Sequence, residues 1–286
     1  MREKLPDWFT KEIVRGKKYF QVIETLKELN LNTVCEKARC PNRGECCARG
    51  TAAFLIMGNV CARFCRFCAV QKGVPKPLEK DEPKRIAEAI GKLGLKYAVI
   101  TSVTRDDLED GGASHFARTI REIRWENPLV KIEVLIPDFQ GSTQALKIVL
   151  DARPDVLNHN LETAPRLYRT VRPKADYKKS LQVLLFSKII EPKILTKSGL
   201  MLGLGETREE ILEVLKDLRE NECDFLTLGQ YLAPSKKHLP VKRFVAPEEF
   251  ENLKKEALNL GFKAVAAGPL VRSSYLAERL FNSKVA

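Results

Sequence analysis

Cys61, Cys65 and Cys68 stand four and three residues apart in Cys61-Ala62-Arg63-Phe64-Cys65-Arg66-Phe67-Cys68, directly after the apolar run 52–58. That run reads as a buried strand entering a loop. Three thiolates on one short loop can hold a metal centre and leave one ligand position open, which a catalytic site needs and a structural site avoids. A second set, Cys35, Cys40 and Cys46, with Cys47 beside it, lies upstream at spacings of five and six in a segment broken by Pro41 and Gly44. Zinc prefers close Cys-x-x-Cys or His pairs that together supply four ligands. Here the one Cys-x-x-Cys is Cys65 to Cys68, and His115, His159 and His238 lie far downstream. The spacing favours a cluster-type metal over zinc.

The chain that must position these thiols has 286 residues, slightly more than the ~250 of an α/β barrel, and is 44% hydrophobic and 30% charged. It has no apolar run of about 18 residues, so no transmembrane helix is expected. Residues 1–8 include acidic side chains and no apolar stretch of the signal-peptide kind, so a cytoplasmic, reducing location is expected. There, eight cysteines are expected to bind metal rather than pair as disulfides. A net charge of +12 steers acidic partners, or else reflects a lysine-rich solvated surface. No block of about five like charges and no RNA-binding aromatic motif occurs, so nucleic acid is not expected to bind.

From residue 52 onward, apolar runs alternate with amphipathic segments. The expected strands are 52–58, 97–103, 130–137, 155–160, 194–203 and 225–228. The expected helices are 82–93, 113–125, 143–152, 176–190, 207–221 and 247–260. Strict alternation predicts a parallel sheet with helices outside, closed or open, and functional residues on the loops that follow each strand. Residues 1–34 read as polar and helical, with Tyr19, Val22, Ile23, Leu26 and Leu29 on one packing face. The segment 35–47 reads as a loop. Arg272-Ser273-Ser274-Tyr275 reads as a helix start with a serine N-cap.

Those loops carry further candidates. Asp106 and Asp107 are expected to orient or brace rather than to exchange protons. Gly111 and Gly112 either let the backbone approach a ligand or form a turn. His159 reads as a hydrogen-bonded histidine rather than a ligand. The stretch 203–208 fails the dinucleotide fingerprint because Arg208 stands where the third glycine belongs; Thr207 and Glu210 form a capping box instead. Cys223 reads as a core thiol. Thr101 and Glu162, at strand ends, are candidates for holding a small cofactor. Arg63 and Arg66 could tune a metal centre or receive an electron donor, or simply keep the surface soluble.

The motif Cys-x-x-x-Cys-x-aromatic-Cys after a first strand resembles the radical S-adenosylmethionine superfamily. The two cysteine triplets, Asp106-Asp107-Leu108-x-Asp110-Gly111-Gly112-Ala113, the run 198–206, Leu228-Gly229-Gln230-Tyr231-Leu232 and Arg272-Ser273-Ser274-Tyr275 together resemble the lipoyl synthase family from about Val34 to Tyr275. The sequence departs from that pattern at Cys47, where an aromatic is usual, at Asn59 and at Leu276. Spacing favours Cys46 over Cys47 as the metal ligand.

The resemblance implies a partial (βα)6 barrel of the TIM type over 51–262. It also implies N-terminal (1–50) and C-terminal (263–286) extensions that cover the mouth. A 4Fe–4S cluster on Cys61, Cys65 and Cys68 would have S-adenosylmethionine at its open iron, with Thr101 and Glu162 as hydrogen-bonding candidates for that cofactor. A second, auxiliary 4Fe–4S cluster would sit on Cys35, Cys40 and Cys46, closed by Ser273 or Ser274, with Ser274 preferred. The implied reaction is radical insertion of sulfur at C6 and then C8 of an octanoyl chain amide-linked to a carrier lysine. The implied partners are octanoylated lipoyl domains of 2-oxoacid dehydrogenases or the glycine cleavage H protein, and a low-potential donor such as ferredoxin or flavodoxin. Rival readings are another sulfur-inserting radical enzyme or a zinc-stabilised basic nucleic-acid binder.

Overall fold

The structure is a computed structural model that describes residues 5–10 and 16–283. Helix α1 (Lys17–Glu28) is followed by β1 (Asn32–Thr33), α2 (Val34–Lys37) and α3 (Arg43–Ala48). Strand β2 (Ala53–Ile56) and the short pair β3 (Val60–Cys61) and β4 (Gln71–Lys72) come next. Then α4 (Glu82–Lys92), β5 (Tyr97–Ser102), α5 (Ala113–Glu126), β6 (Lys131–Leu135), α6 (Thr143–Asp151), β7 (Val156–Asn158), α7 (Tyr168–Val171), α8 (Tyr177–Ile190) and β8 (Leu195–Leu202) follow. The chain ends with α9 (Arg208–Glu220), β9 (Phe225–Gln230), α10 (Pro247–Asn259), β10 (Ala264–Gly268) and α11 (Ala277–Asn282).

The main sheet runs β1-β2-β5-β6-β7-β8-β9-β10, and every neighbouring pair is parallel except β1 with β2. All six expected strands and all six expected helices form, with ends shifted by a few residues. The sheet gains a seventh parallel strand, β10, from the short run Ala264-Val265-Ala266-Ala267-Gly268, which pairs with β9. Helices α4, α5 and α6 seal one side of the sheet over Phe54, Ile56, Ile100 and Val134. Helices α9 and α10 continue the same outer layer over Leu200, Leu226 and Leu228. The result is an α/β partial barrel whose strand edges, β2 and β10, are not paired with each other among the described residues.

The two extensions meet across that gap. The Asn42 amide donates to Leu270 O at 2.6 Å, and the Tyr275 hydroxyl donates to Glu45 at 2.9 Å. The turn 272–275 faces the barrel interior, while α11 goes to the opposite end. Leu280 buries against Val156, Phe225 and Ala264, the first residues of their strands, and the Phe281 ring lies 5.5 Å from Tyr97. A barrel with an open seam exposes apolar strand ends, and α11 covers them.

Several local expectations change. The segment 35–47 is not plain loop: two short helices carry Cys35 and Cys46. Helix α11 starts at Leu276 in the left-handed region without a serine cap. Of the helical reading of residues 1–34, α1 forms with Val22 fully buried. Residues 1–4 and 11–15, including part of the stretch read for a signal peptide, lie outside the described residues. No helix among the described residues is long and apolar enough to cross a membrane.

Candidate active site

The loop bearing Cys61, Cys65 and Cys68 leaves β2 through the left-handed pair Met57 and Gly58 and is closed at its base by the β3–β4 pairing. Backbone hydrogen bonds hold it at both flanks: Ala62 N donates to Thr104 O at 3.0 Å, and Arg66 N to Val171 O at 2.9 Å. Thr104 N also donates to the Cys61 sulfur at 3.3 Å. At the loop's centre Arg63 turns inward, 7% exposed. It forks onto Asp106 (2.7 and 2.9 Å) and Asp138 (2.8 and 2.6 Å). Burial alone would lower the Arg63 pKa, but the hydrogen bonds to Asp138 and Asp106 hold it above the usual arginine value. Burial would likewise raise Asp138, yet Arg63 holds it down at about 2. Arg63 therefore braces the loop and is not a surface group, while Arg66 is exposed.

Asp106 braces as expected, and Asp107 does so through Arg105 at 2.8 Å. Gly111 and Gly112 serve a turn. Gly112 sits at φ +91°, and a Cβ there would lie 2.3 Å from the Met57 sulfur, so the pair packs under the loop and does not meet the cavity.

Cys35, Cys40 and Cys46 are brought together by α2, α3 and the left-handed turn at Arg39. Burial pushes the Cys35 thiol up to about 11 and the Cys46 thiol up to about 12. Cys40 adds repulsion at Cys35, and both Cys35 and Cys40 add it at Cys46. Cys35, Cys40 and Cys46 thus lie near one another, as ligands of one cluster would. The Cys47 thiol lies against the Arg43 guanidinium. Burial also pushes Cys68 up to about 12.

One cavity of about 520 Å³ is lined by Cys35 and Cys40 from the upstream set and by Cys61, Cys65 and Cys68 from the other. Cys46 stands behind the wall. Thr101, Glu162 and Ser274 also line the cavity, so the expected site residues converge on one space. Glu162 is held at φ +70° by backbone bonds to Gly199 O and from Met201 N, both 2.9 Å. Burial raises its pKa, opposed by Arg172, and Asn160 donates to it at 3.1 Å. The Thr101 hydroxyl already donates to Leu135 O at 3.0 Å, leaving only its lone pairs for a ligand.

His159 donates from Nδ1 to Ile136 O at 2.9 Å, as expected of a satisfied histidine, but its Nε2 has no partner among the described residues. Burial and the Arg172 charge lower it to about 4, so the ring is neutral. The Arg172 Nε is likewise buried without a partner. Two orphaned polar atoms on the cavity wall are what a missing polar ligand leaves behind. Soft thiolates at one end and polar groups on the same wall fit an iron–sulfur cluster with a polar organic cofactor beside it. Among the described residues no three His, Cys, Asp or Glu side chains converge on a single ion.

Sequence reasoning placed Asn160 at the mouth but gave no role to Arg172 or Arg272, which also line the cavity. It also missed Lys197 and Glu133, although a lysine and a glutamate inside successive apolar strands were a visible signal. The capping box at Thr207 and Glu210 and the buried thiol of Cys223 stand as expected.

Comparison with known proteins agrees. The profile of the Radical SAM superfamily matches residues 55–218, and that of the N-terminal domain of lipoyl synthase matches residues 1–40. The lipoyl synthase of Caldanaerobacter subterraneus subsp. tengcongensis is 56% identical over 278 residues, 97% of either chain. That of Caldicellulosiruptor saccharolyticus is 57% identical over 278 residues, 97% of this chain and 98% of the relative. Among solved structures, HydG, a maturase of the FeFe-hydrogenase, superposes with a TM-score of 0.59 at 15% identity, covering 88% of this chain and 63% of that one. Streptococcus suis SuiB bound to S-adenosylmethionine gives 0.57 at 12% identity, covering 76% and 51%; these two share the fold. From its cysteine loops to its terminal serine turn, this chain belongs to the lipoyl synthase family of the radical S-adenosylmethionine superfamily.

Proposed function

We propose that this chain inserts two sulfur atoms, at C6 and C8, into a protein-bound octanoyl-lysine and so makes the lipoyl cofactor. The observation that carries the reading is the single cavity shared by both cysteine sets and by Ser274. An enzyme that joins sulfur to an unactivated chain needs the radical source and the sulfur source to face one substrate.

Superfamily membership brings a 4Fe–4S cluster and S-adenosylmethionine. Cys61, Cys65 and Cys68 would hold that cluster, and Glu162, Arg172 and His159, which line the same cavity, would receive the polar groups of S-adenosylmethionine. When bound, the pair supplies a 5′-deoxyadenosyl radical, which can take hydrogen from a C–H bond that no side-chain base can deprotonate. The auxiliary cluster is a substrate, giving up sulfur from its place on Cys35, Cys40, Cys46 and Ser274. A hard serine oxygen holds iron less firmly than thiolates do, which suits a cluster that is dismantled. The apolar walls, among them Leu55, Val99, Leu135 and Leu200, hold the octanoyl tail and keep water from the reacting carbon. Arg63, clamped on Asp106 and Asp138, fixes the first cysteine loop against the barrel.

The carrier is an octanoylated lipoyl domain of a 2-oxoacid dehydrogenase or the glycine cleavage H protein, drawn to a chain of net charge +12. The electron donor is a low-potential ferredoxin or flavodoxin in the same reducing cytoplasm, and exposed Arg66 beside the first cysteine loop is placed to meet it. Other sulfur-inserting radical enzymes lack the pairing of an N-terminal cysteine triplet with a terminal Arg-Ser-Ser-Tyr.

Anaerobic reconstitution followed by iron analysis tests the two-cluster site. The parent is expected to bind about eight irons per chain and Cys35→Ala about four. About four in the parent would overturn the reading.

A further inference from the structure

We propose that the buried ion pair of Lys197 and Glu133 inside the barrel is a socket for Ser273, and that seating Ser273 turns the adjacent Ser274 toward Cys35 and Cys40. Lys197 and Asn158 are then positioning residues for the auxiliary cluster's fourth ligand. The proposal rests on the reading of Ser274 given above.

Lys197 on β8 and Glu133 on β6 are each 1% exposed, and the ammonium lies 2.8 and 3.0 Å from the two carboxylate oxygens. Such a pair is costly to bury unless every hydrogen-bonding valence is met. On the glutamate side it is met within the barrel: Asn158 donates to one oxygen at 2.9 Å and the Tyr97 hydroxyl to the other at 2.7 Å. On the lysine side it is not, because the remaining proton goes to the C-terminal segment, to Ser273 O at 2.7 Å. Asn158 also donates to the Ser273 hydroxyl at 2.7 Å, and that hydroxyl reaches Asn160 at 3.3 Å. Docking of the turn therefore completes the hydrogen bonds of the Lys197 ammonium.

The neighbouring serines consequently do different things. The Ser273 hydroxyl is consumed in the socket. Ser274 lines the cavity, and its hydroxyl makes no hydrogen bond among the described residues. Independent contacts fix both ends of the turn. Asn42 holds Leu270 O, Tyr275 holds Glu45, and the missing side chain of Gly229 admits Val271 O, which would lie 2.1 Å from a Cβ there. Asn42 and Glu45 flank and precede Cys46, so the same turn is tied to the helix that carries that ligand.

Three variants of the whole chain test this: Lys197→Met with Glu133→Gln, which leaves no lone buried charge, Ser273→Ala, and Ser274→Ala. In the cluster-free chain, hydrogen–deuterium exchange of residues 270–276 is expected to quicken roughly tenfold in the first two, with β5 and β9 unchanged, and to stay at the parent rate in Ser274→Ala. After reconstitution, the Mössbauer signature of the auxiliary cluster is expected to change in all three while that of the first cluster does not. Exchange that quickens evenly across the barrel strands, or an auxiliary signature that stays at the parent's in the first two variants, would overturn the socket. If the double variant unfolds, Ser273→Ala, which removes one hydroxyl, carries both readouts. An auxiliary signature unchanged in Ser274→Ala alone would instead overturn Ser274 as ligand; the exchange result, which needs no cluster, separates the two failures.

Discussion

Arg63 sits between Cys61 and Cys65, yet its own role is structural. Its guanidinium joins Asp106 and Asp138 under the loop, and Asp138 has only 3% of its surface exposed. Replacing Arg63 with Met is expected to strand Asp138 and to cost about 3–5 kcal/mol of the cluster-free chain's stability, read by urea unfolding. A cost below about 1 kcal/mol would mean that the clamp is ornamental. At the cofactor wall, Glu162→Gln is expected to weaken S-adenosylmethionine binding roughly tenfold by calorimetry, the loss of about one charged hydrogen bond. Thr101→Val is expected to change it little, because the hydroxyl's proton is already spent on Leu135 O. The spacing of the six cysteines was legible in the sequence because it is a local property, whereas the serine turn entered only through the family resemblance, since alone it reads as a helix start. Arg172 and Lys197 were not legible: their importance comes from what faces them, Glu162 and Glu133, which lie many residues away in the chain.

At the scale of elements, period and turn chemistry placed six strands and six helices. They missed β10, because five small residues make a weak apolar run and become a strand only by pairing with β9. They also read 35–47 as loop, because four- and six-residue helices have no periodicity to show. The junction of α8, β8 and β9 shows how tertiary contacts finish such elements. Asp224, just before β9, accepts from Lys188 at 2.5 Å, Lys263 at 2.8 Å and Thr196 N at 3.0 Å, with 4% of its side chain exposed. Burial would raise its pKa, but Lys188 and Lys263 hold it below the ordinary 3.8. A carboxylate depressed in the folded state stabilises fully above its unfolded pKa and loses that contribution as pH falls through the folded value. Asp224→Asn is therefore expected to cost about 3 kcal/mol at pH 7. The gap from the parent should close progressively below about pH 5, as seen in denaturation curves taken across pH.

The molecule as a whole is a barrel left open on one seam, with its two extensions stitched together across the opening and one cavity behind them. The N-terminal extension brings Cys35 and Cys40 to that cavity and the C-terminal extension brings Ser274, while the loop after β2 brings Cys61, Cys65 and Cys68. Two cysteine sets around one cavity are what the proposed reaction asks of its radical source and its sulfur source, and a net charge of +12 suits an acidic carrier. The most direct test is mass spectrometry of an octanoyl-lysyl peptide incubated anaerobically with the reconstituted chain, S-adenosylmethionine and a low-potential reductant. The account predicts a product carrying two added sulfur atoms, formed with release of 5′-deoxyadenosine. Release of 5′-deoxyadenosine with no sulfur on the octanoyl chain would contradict it.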